Sequence, residues 1–283
     1  MAEVWTVLKV LQWTAGYFRD RGIEGGRLDA ELLLSDTLKL DRVGLYLNYD
    51  RPLSAGELEA FRAGVGRRAK REPLQYIRGQ AEFWSLPFAV TPAVLIPRPD
   101  TEVLVEEALK RASGPCRILD VGTGSGAIAI ALAHELPEAQ VEGVDLSPAA
   151  LAVARGNAER NGVAERLTLQ AGDLRQLSGA GYDLVVSNPP YIPSSDLAGL
   201  MPEVRQFEPL LALDGGGDGL DAYRALATQA LGLLRPGGWL LLEVGIDQAA
   251  AVGELLRRAG LLEIFTRADY AGVERVVGGQ SPG

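Results

Sequence analysis

Apolar residues recur at helical spacing from Val4 to Arg71, as at Val7, Leu8 and Leu11 and again at Leu32, Leu33, Leu34 and Leu38, with polar residues between. That period gives each helix one apolar stripe, and stripes buried against one another make a small helical bundle. Ser54 followed by Glu57 predicts a capping box for a helix running through Phe61 toward Arg71, which Pro73 ends. The predicted bundle covers residues 1–72. From 73 to 97 the pattern shifts to aromatic and β-branched residues, Tyr76, Phe83, Trp84, Phe88 and Val90, which suit a β-hairpin connector better than another helix.

Residues 98–283 read as one α/β domain. After Thr101, short apolar runs alternate with amphipathic stretches, the pattern of a parallel sheet covered on both faces. Predicted strands are Arg117 to Asp120, Val141 to Asp145, Leu167 to Ala171, Leu184 to Ser187, Trp239 to Val244, Leu262 to Thr266 and Val273 to Val277. No long helical stretch separates the last two, so they are expected to pair as an antiparallel hairpin at one edge. The result is a mixed seven-stranded sheet flanked by helices. The glycine run Asp214 to Gly219 predicts a mobile loop, and no internal repeat is present.

Composition narrows the function classes. A chain of 283 residues with 47% hydrophobic content can bury a sizeable core. Its 37 acidic and 28 basic residues leave a net charge of -9, which disfavours broad attachment to nucleic acid or to anionic membrane. A single cysteine, Cys116, allows no internal disulfide, and a single histidine, His134, leaves no zinc-like cluster, so no metal is expected. Met1 to Val4 open no basic, apolar leader, and no run approaches the roughly 20 apolar residues of a membrane span, so a cytoplasmic protein is expected.

The chemistry concentrates at strand ends. Asn188-Pro189-Pro190-Tyr191 follows the apolar run Leu184 to Ser187. Each proline lacks an N–H and fixes its φ, so the turn is stiff and leaves carbonyl oxygens to accept hydrogen bonds from an incoming NH₂ group. The Asn188 side-chain oxygen adds an acceptor, and the Tyr191 ring offers a flat face for an amide or a base. Gly122-Thr123-Gly124-Ser125-Gly126 runs from a predicted strand into a helix over Ala127 to Leu136, with G-x-G-x-G spacing in place of the dinucleotide G-x-G-x-x-G/A. Asp145 ends the next strand, where a carboxylate can take ribose hydroxyls. Asp173 and Leu174 follow a third strand, placed to meet an adenine amino group and its ring, although capping of its own loop is an equal reading for Asp173.

Four strand ends carrying such residues along the ligand-binding edge resemble the class I methyltransferase fold, with S-adenosylmethionine over the glycine loop and an acceptor nitrogen at the Asn-Pro-Pro-Tyr turn. That turn also serves methylation of adenine, cytosine and guanine amines, so the flanking sequence decides. Arg27 to Leu33, Pro73 to Ile77, Phe83-Trp84, Val94 to Glu102, Phe207-Glu208-Pro209, Leu242-Glu243, Arg267 to Tyr270 and Glu274 to Val276 occur in order along nearly the whole chain. Together they are similar to the HemK/PrmC family, the protein-(glutamine-N5) methyltransferases that modify the Gly-Gly-Gln motif of peptide chain release factors.

The resemblance implies that Gly122 to Gly126, Asp145 and Asn188 contact the cofactor and that Asn188 to Tyr191 hold the glutamine, with S-adenosylhomocysteine as product. It implies that Leu95 and Arg98 line the pocket; an ion pair to a nearby carboxylate is the alternative for Arg98. Asp120 and Glu243 are read as ligand contacts or as orienters of loops, and His134 as structural. The helical part is expected to dock the release factor, and the chain to act as a monomer. Rival readings are an N-methyltransferase of DNA or ribosomal RNA and a non-catalytic cofactor-binding adaptor. Gly278-Gly279-Gln280 repeats the family's target tripeptide, which is expected to be a coincidence in a flexible tail.

Overall fold

The computed structural model describes residues 4–177 and 179–283, so the leader reading of Met1 to Glu3 lies outside the described residues. In chain order, helices α1 (Val7–Arg19), α2 (Gly26–Leu38), α3 (Arg42–Leu47), α4 (Ala55–Ala69) and α5 (Leu74–Arg78) come first. Strands β1 (Gln80–Phe83) and β2 (Leu86–Ala89) follow, then α6 (Glu102–Leu109), β3 (Arg117–Val121), α7 (Ala127–Glu135), β4 (Gln140–Asp145), α8 (Pro148–Arg160), β5 (Leu167–Ala171) and β6 (Tyr182–Ser187). The chain closes with α9 (Pro202–Phe207), α10 (Asp221–Leu233), β7 (Leu234–Glu243), α11 (Ala249–Arg258), β8 (Leu262–Ala268) and β9 (Glu274–Gln280).

Two compact units result, one of Met1–Gly79 with Pro202–Phe207 and one of Gln80–Met201 with Glu208–Gly283. In the first, the expected stripes meet: Val7, Val10, Leu11 and Phe18 of α1 share a core with Leu33 and Leu34 of α2 and Phe61 of α4. The Ser54/Glu57 capping box is present at the start of α4. Arg68 is buried within this unit and reaches Asp29 at 2.7 Å and Glu203 at 3.0 Å, the kind of pairing a buried guanidinium requires. One local expectation fails at 74–78, where the chain is helical and Pro73 stands at the N-cap. Proline is well suited to a helix start, and the aromatic pattern outweighed that signal.

The hairpin itself forms over β1 and β2. Beyond it, among the described residues, the sheet runs β5-β4-β3-β6-β7-β9-β8. All neighbours through β7 are parallel, and β9 is antiparallel to both β7 and β8, so the expected edge hairpin is present, with β9 lying between β7 and the edge strand β8. Alternate residues feed two apolar layers. Ile118, Leu184 and Val186 pack with Ile128, Leu132 and Leu104 on one face. Leu119, Val185 and Leu242 pack with Tyr223, Leu226 and Val252 on the other.

Two further expectations are corrected. Gly278-Gly279-Gln280 lies in β9 instead of a tail, paired with Leu241, Leu240 and Trp239. A Cβ on Gly278 would come within 2.2 Å of the Phe265 ring, so packing explains the glycine. The glycine run after Leu213 is not a free loop either: Gly215 N donates to Ile192 O at 2.9 Å and Ser194 N to Gly216 O at 2.9 Å.

Candidate functional site

Strand order reverses at β3, with β4 and β5 to one side and β6 and β7 to the other, and the parallel strands bring their carboxyl ends to one edge. A crevice outside that edge is where open α/β sheets take ligands. Here it holds a cavity of ≈ 1120 Å³ whose lining includes Leu95, Gly122, Gly124, Asp145, Asp173, Leu174, Asn188 and Pro190. Residues separated by nearly a hundred positions in sequence thus face one space.

The glycine loop forms its floor. Gly122 and Gly124 have φ of 73° and 54°, which favours glycine, and Gly124 N donates to Asp145 Oδ2 at 2.8 Å. Asp145 Oδ1 accepts from Ser147 N at 2.8 Å. Each carboxylate oxygen therefore spends one lone pair on the loop and retains another for a hydroxyl donor in the cavity. Thr123 and Ser125 are buried and do not line the cavity. Thr123 Oγ1 donates to Asp120 Oδ2 at 2.6 Å, and Ala129 N reaches the same oxygen at 3.2 Å. Burial pushes the Asp120 carboxyl up to about 7 against those two bonds, with Asp145 adding to the rise. Asp120 is thus an orienter of the loop. Gly126 lies at the N-cap of α7, with φ 83°.

Asp173 reaches the cavity and also caps its own loop: Oδ1 accepts from Arg175 N at 2.9 Å and pairs with Arg175 Nε at 3.2 Å. The Arg175 N–H holds the Asp173 carboxyl below its ordinary value. Leu174 is fixed by Gln229, whose Nε2 donates to Leu174 O at 2.7 Å while its Oε1 accepts from Leu177 N at 2.7 Å.

The Asn-Pro-Pro-Tyr corner follows β6, anchored by Ser187 Oγ donating to Val121 O at 2.6 Å. Asn188 Nδ2 donates to Thr101 Oγ1 at 3.2 Å, which leaves Oδ1 as the free acceptor of that side chain. Pro189 is buried and is not among the residues lining the cavity, and among the described residues no donor reaches its carbonyl. Tyr191 does not line the cavity; its ring packs against the apolar layer of α10 and α11. Burial, with Glu243 nearby, pushes its hydroxyl up to about 12, so the phenol stays neutral. The Tyr191 carbonyl accepts from Gln248 Nε2 at 2.9 Å. Arg98 is paired with Glu208, a carboxylate with 1% of its side chain exposed, as the alternative reading held; it does not line the cavity.

Four supporting residues escaped the sequence reading: Thr101, Asn157, Gln229 and Gln248. Asn157 accepts from Ala89 N at 2.7 Å and donates to Ser125 O at 2.9 Å, tying the hairpin to the glycine loop. An amide inside an amphipathic helix was its one visible signal. His134 is exposed on the last turn of α7 and is not among the lining residues. Among the described residues no group of three or more His, Cys, Asp or Glu is placed to hold a metal ion, and no helix is long and apolar enough to cross a membrane.

Comparison with known proteins adds independent findings. Residues 9–79 match the model of the PrmC N-terminal domain, and residues 99–200 that of the methyltransferase small domain. The chain is 57% identical over 279 residues to the release factor glutamine methyltransferase of Geobacter sulfurreducens, covering 98% of each chain. It is 52% identical over 259 residues to that of Moorella thermoacetica, covering 90% of this chain and 91% of the relative. A methyltransferase of Pyrococcus furiosus aligns in structure with a TM-score of 0.52 at 18% identity, over 70% of this chain and 89% of that one, which bears on fold alone.

Proposed function

Since the chain belongs to the release factor glutamine methyltransferase family, we propose that it transfers a methyl group from S-adenosylmethionine to the side-chain amide nitrogen of the glutamine in the Gly-Gly-Gln motif of peptide chain release factors. The observation that carries this reading is the corner: Asn188, with its Oδ1 free, lines the cavity beside a loop suited to a nucleoside, and no donor among the described residues reaches the adjoining Pro189 carbonyl. S-adenosylmethionine supplies, when bound, an electrophilic sulfonium methyl group, and S-adenosylhomocysteine is the product. Asp145, with lone pairs to spare, would take its ribose hydroxyls, Gly122 and Gly124 would lie against it, and Asp173 and Leu174 would meet its base. No metal takes part in this scheme.

An amide nitrogen is a poor nucleophile because its lone pair is delocalised, so holding and orienting it is the main task of these residues. Two acceptors, one for each N–H, fix the carboxamide and direct the lone pair along one line, and such positioning contributes several kcal/mol, on the order of 7 or more in well-oriented cases. The same oxygens stabilise positive charge that grows on nitrogen. The new N–C bond leaves one N–H proton in excess, which departs to water after transfer. Leu95 lines the same cavity as a contact for the substrate. The helical residues 1–72 dock the release factor, and the enzyme works as a monomer in the cytoplasm.

Incubation with labelled S-adenosylmethionine and, separately, release factor, DNA and ribosomal RNA tests the reading. Label is expected in the release factor glutamine alone. Label in nucleic acid would replace the reading with its nearest rival, and label nowhere would point to an adaptor.

A further inference from the structure

Asn188 serves the reaction only with its carboxamide oxygen outward, yet its two ends are nearly equal in shape, so something must forbid the flipped rotamer. Thr101 Oγ1 accepts from Asn188 Nδ2 at 3.2 Å. Register between β6 and β7 sets Ser187 opposite Leu242, which puts Glu243 beside Asn188 at the strand ends. The Glu243 carboxyl, 2% exposed, is pushed up to about 7 by burial, against the pull of the Thr101 hydroxyl and the Asn188 amide beside it, which favour its ionised form. Its Oε2 meets no donor.

We propose that Thr101 and Glu243 are positioning residues that lock the Asn188 carboxamide with Oδ1 toward the acceptor nitrogen. This rests on the reading that Asn188 holds the acceptor amide. The direction of the chain of bonds is set at its root. Above about pH 7, where Glu243 is ionised, its carboxylate only accepts, so the Thr101 hydroxyl turns its proton toward Glu243 and its lone pair toward Asn188 Nδ2. Flipping Asn188 would put its oxygen against that lone pair. The alternative, turning the Thr101 proton to Asn188, would aim it away from a buried carboxylate whose Oε2 already meets no donor, which is costly. The flipped side chain would also aim an NH₂ at the NH₂ of the substrate. The stretch from Val94 to Glu102 thereby gains a chemical reason to stand where it does: Thr101 acts behind the corner, next to Asp100, which pairs with Arg275 at 3.1 Å.

The test uses the full chain with intact release factor and the variants Thr101→Val, Thr101→Ser, Glu243→Met and Asn188→Ala. Thr101→Val is expected to lower kcat on the order of a hundredfold while the affinity for S-adenosylmethionine stays within about twofold, the signature of misorientation without lost cofactor binding. Thr101→Ser keeps the hydroxyl and is expected to retain kcat within about threefold. Glu243→Met removes the acceptor and a buried charge together. It is expected to lower kcat about tenfold or more without lowering Tm, whereas a residue serving only stability would show the reverse. Wild-type kcat in Thr101→Val or in Glu243→Met, with Asn188→Ala inactive, overturns the positioning role. Wild-type kcat in Asn188→Ala overturns the reading of the corner instead.

Discussion

At the scale of single residues, the site divides into groups that meet ligand and groups that aim them. Asp145, which lines the cavity, is proposed to be of the first kind, and Asp145→Ala should weaken S-adenosylmethionine binding by about 2 kcal/mol, the usual worth of a charged hydrogen bond, as a calorimetric titration would show. Asp120, which is bonded to the glycine loop, and Glu243, proposed above to aim Asn188, are both buried and both pushed up to about 7, chiefly by burial. The folded chain therefore holds their protons at pH values where the unfolded chain has released them. Stability should fall as pH rises from the ordinary carboxylate range, about 4, to about 7, and level off above. Denaturation of Asp120→Asn across that window should show a shallower slope than wild type; an unchanged slope would mean that Asp120 does not hold the proton. Asn188, Asp145 and the glycine loop were legible in sequence because each directly follows or ends an apolar run. Thr101 was not, since it lies 87 positions from Asn188 and only the folded chain joins them.

At the scale of elements, the glycine run after Leu213 is the part most changed by the structure. Gly219 has φ 75°, and a Cβ there would come within 2.4 Å of Tyr191 O. Gln248 Nε2 joins the same group, reaching Tyr191 O at 2.9 Å and Gly219 O at 3.4 Å. The run therefore backs the Asn-Pro-Pro-Tyr corner, and the low side-chain content that suggested mobility is what permits the close approach. Gly219→Ala should cost about 1–2 kcal/mol in stability from backbone strain alone, read by denaturant titration, and should lower kcat by shifting the Tyr191 carbonyl. An alanine variant with wild-type stability and kcat would show that the corner needs no such backing. Strand existence and order followed from periodicity, but the helix at 74–78 did not, because five residues carry too little pattern to outweigh their aromatic neighbours.

At the scale of the whole molecule, the chain comprises a helical unit and a methyltransferase unit, and the division of labour between them is a proposal about substrate. A pocket proposed to grip one carboxamide has little area with which to select a protein, so selection is expected to draw on contacts remote from the reacting nitrogen. A short peptide carrying Gly-Gly-Gln should show kcat/KM lower than intact release factor by on the order of a hundredfold or more, the loss expected when remote binding energy is removed. Equal values would assign recognition to the pocket alone and leave the helical unit a stabilising role. The matches at 9–79 and 99–200 support both units as parts of one enzyme, yet neither the apolar stripes nor the capping signals of the helical unit disclose what it touches.

The central claim is that lone pairs of a rigid corner hold the acceptor amide while a separate loop and carboxylate hold the methyl donor. Asn188→Ala tests it most directly, through the single-turnover rate of methylation and the S-adenosylmethionine affinity measured on the same preparation. The rate should drop on the order of a hundredfold or more with affinity nearly unchanged. A near-normal rate, or a rate lost only in step with affinity, would contradict the account.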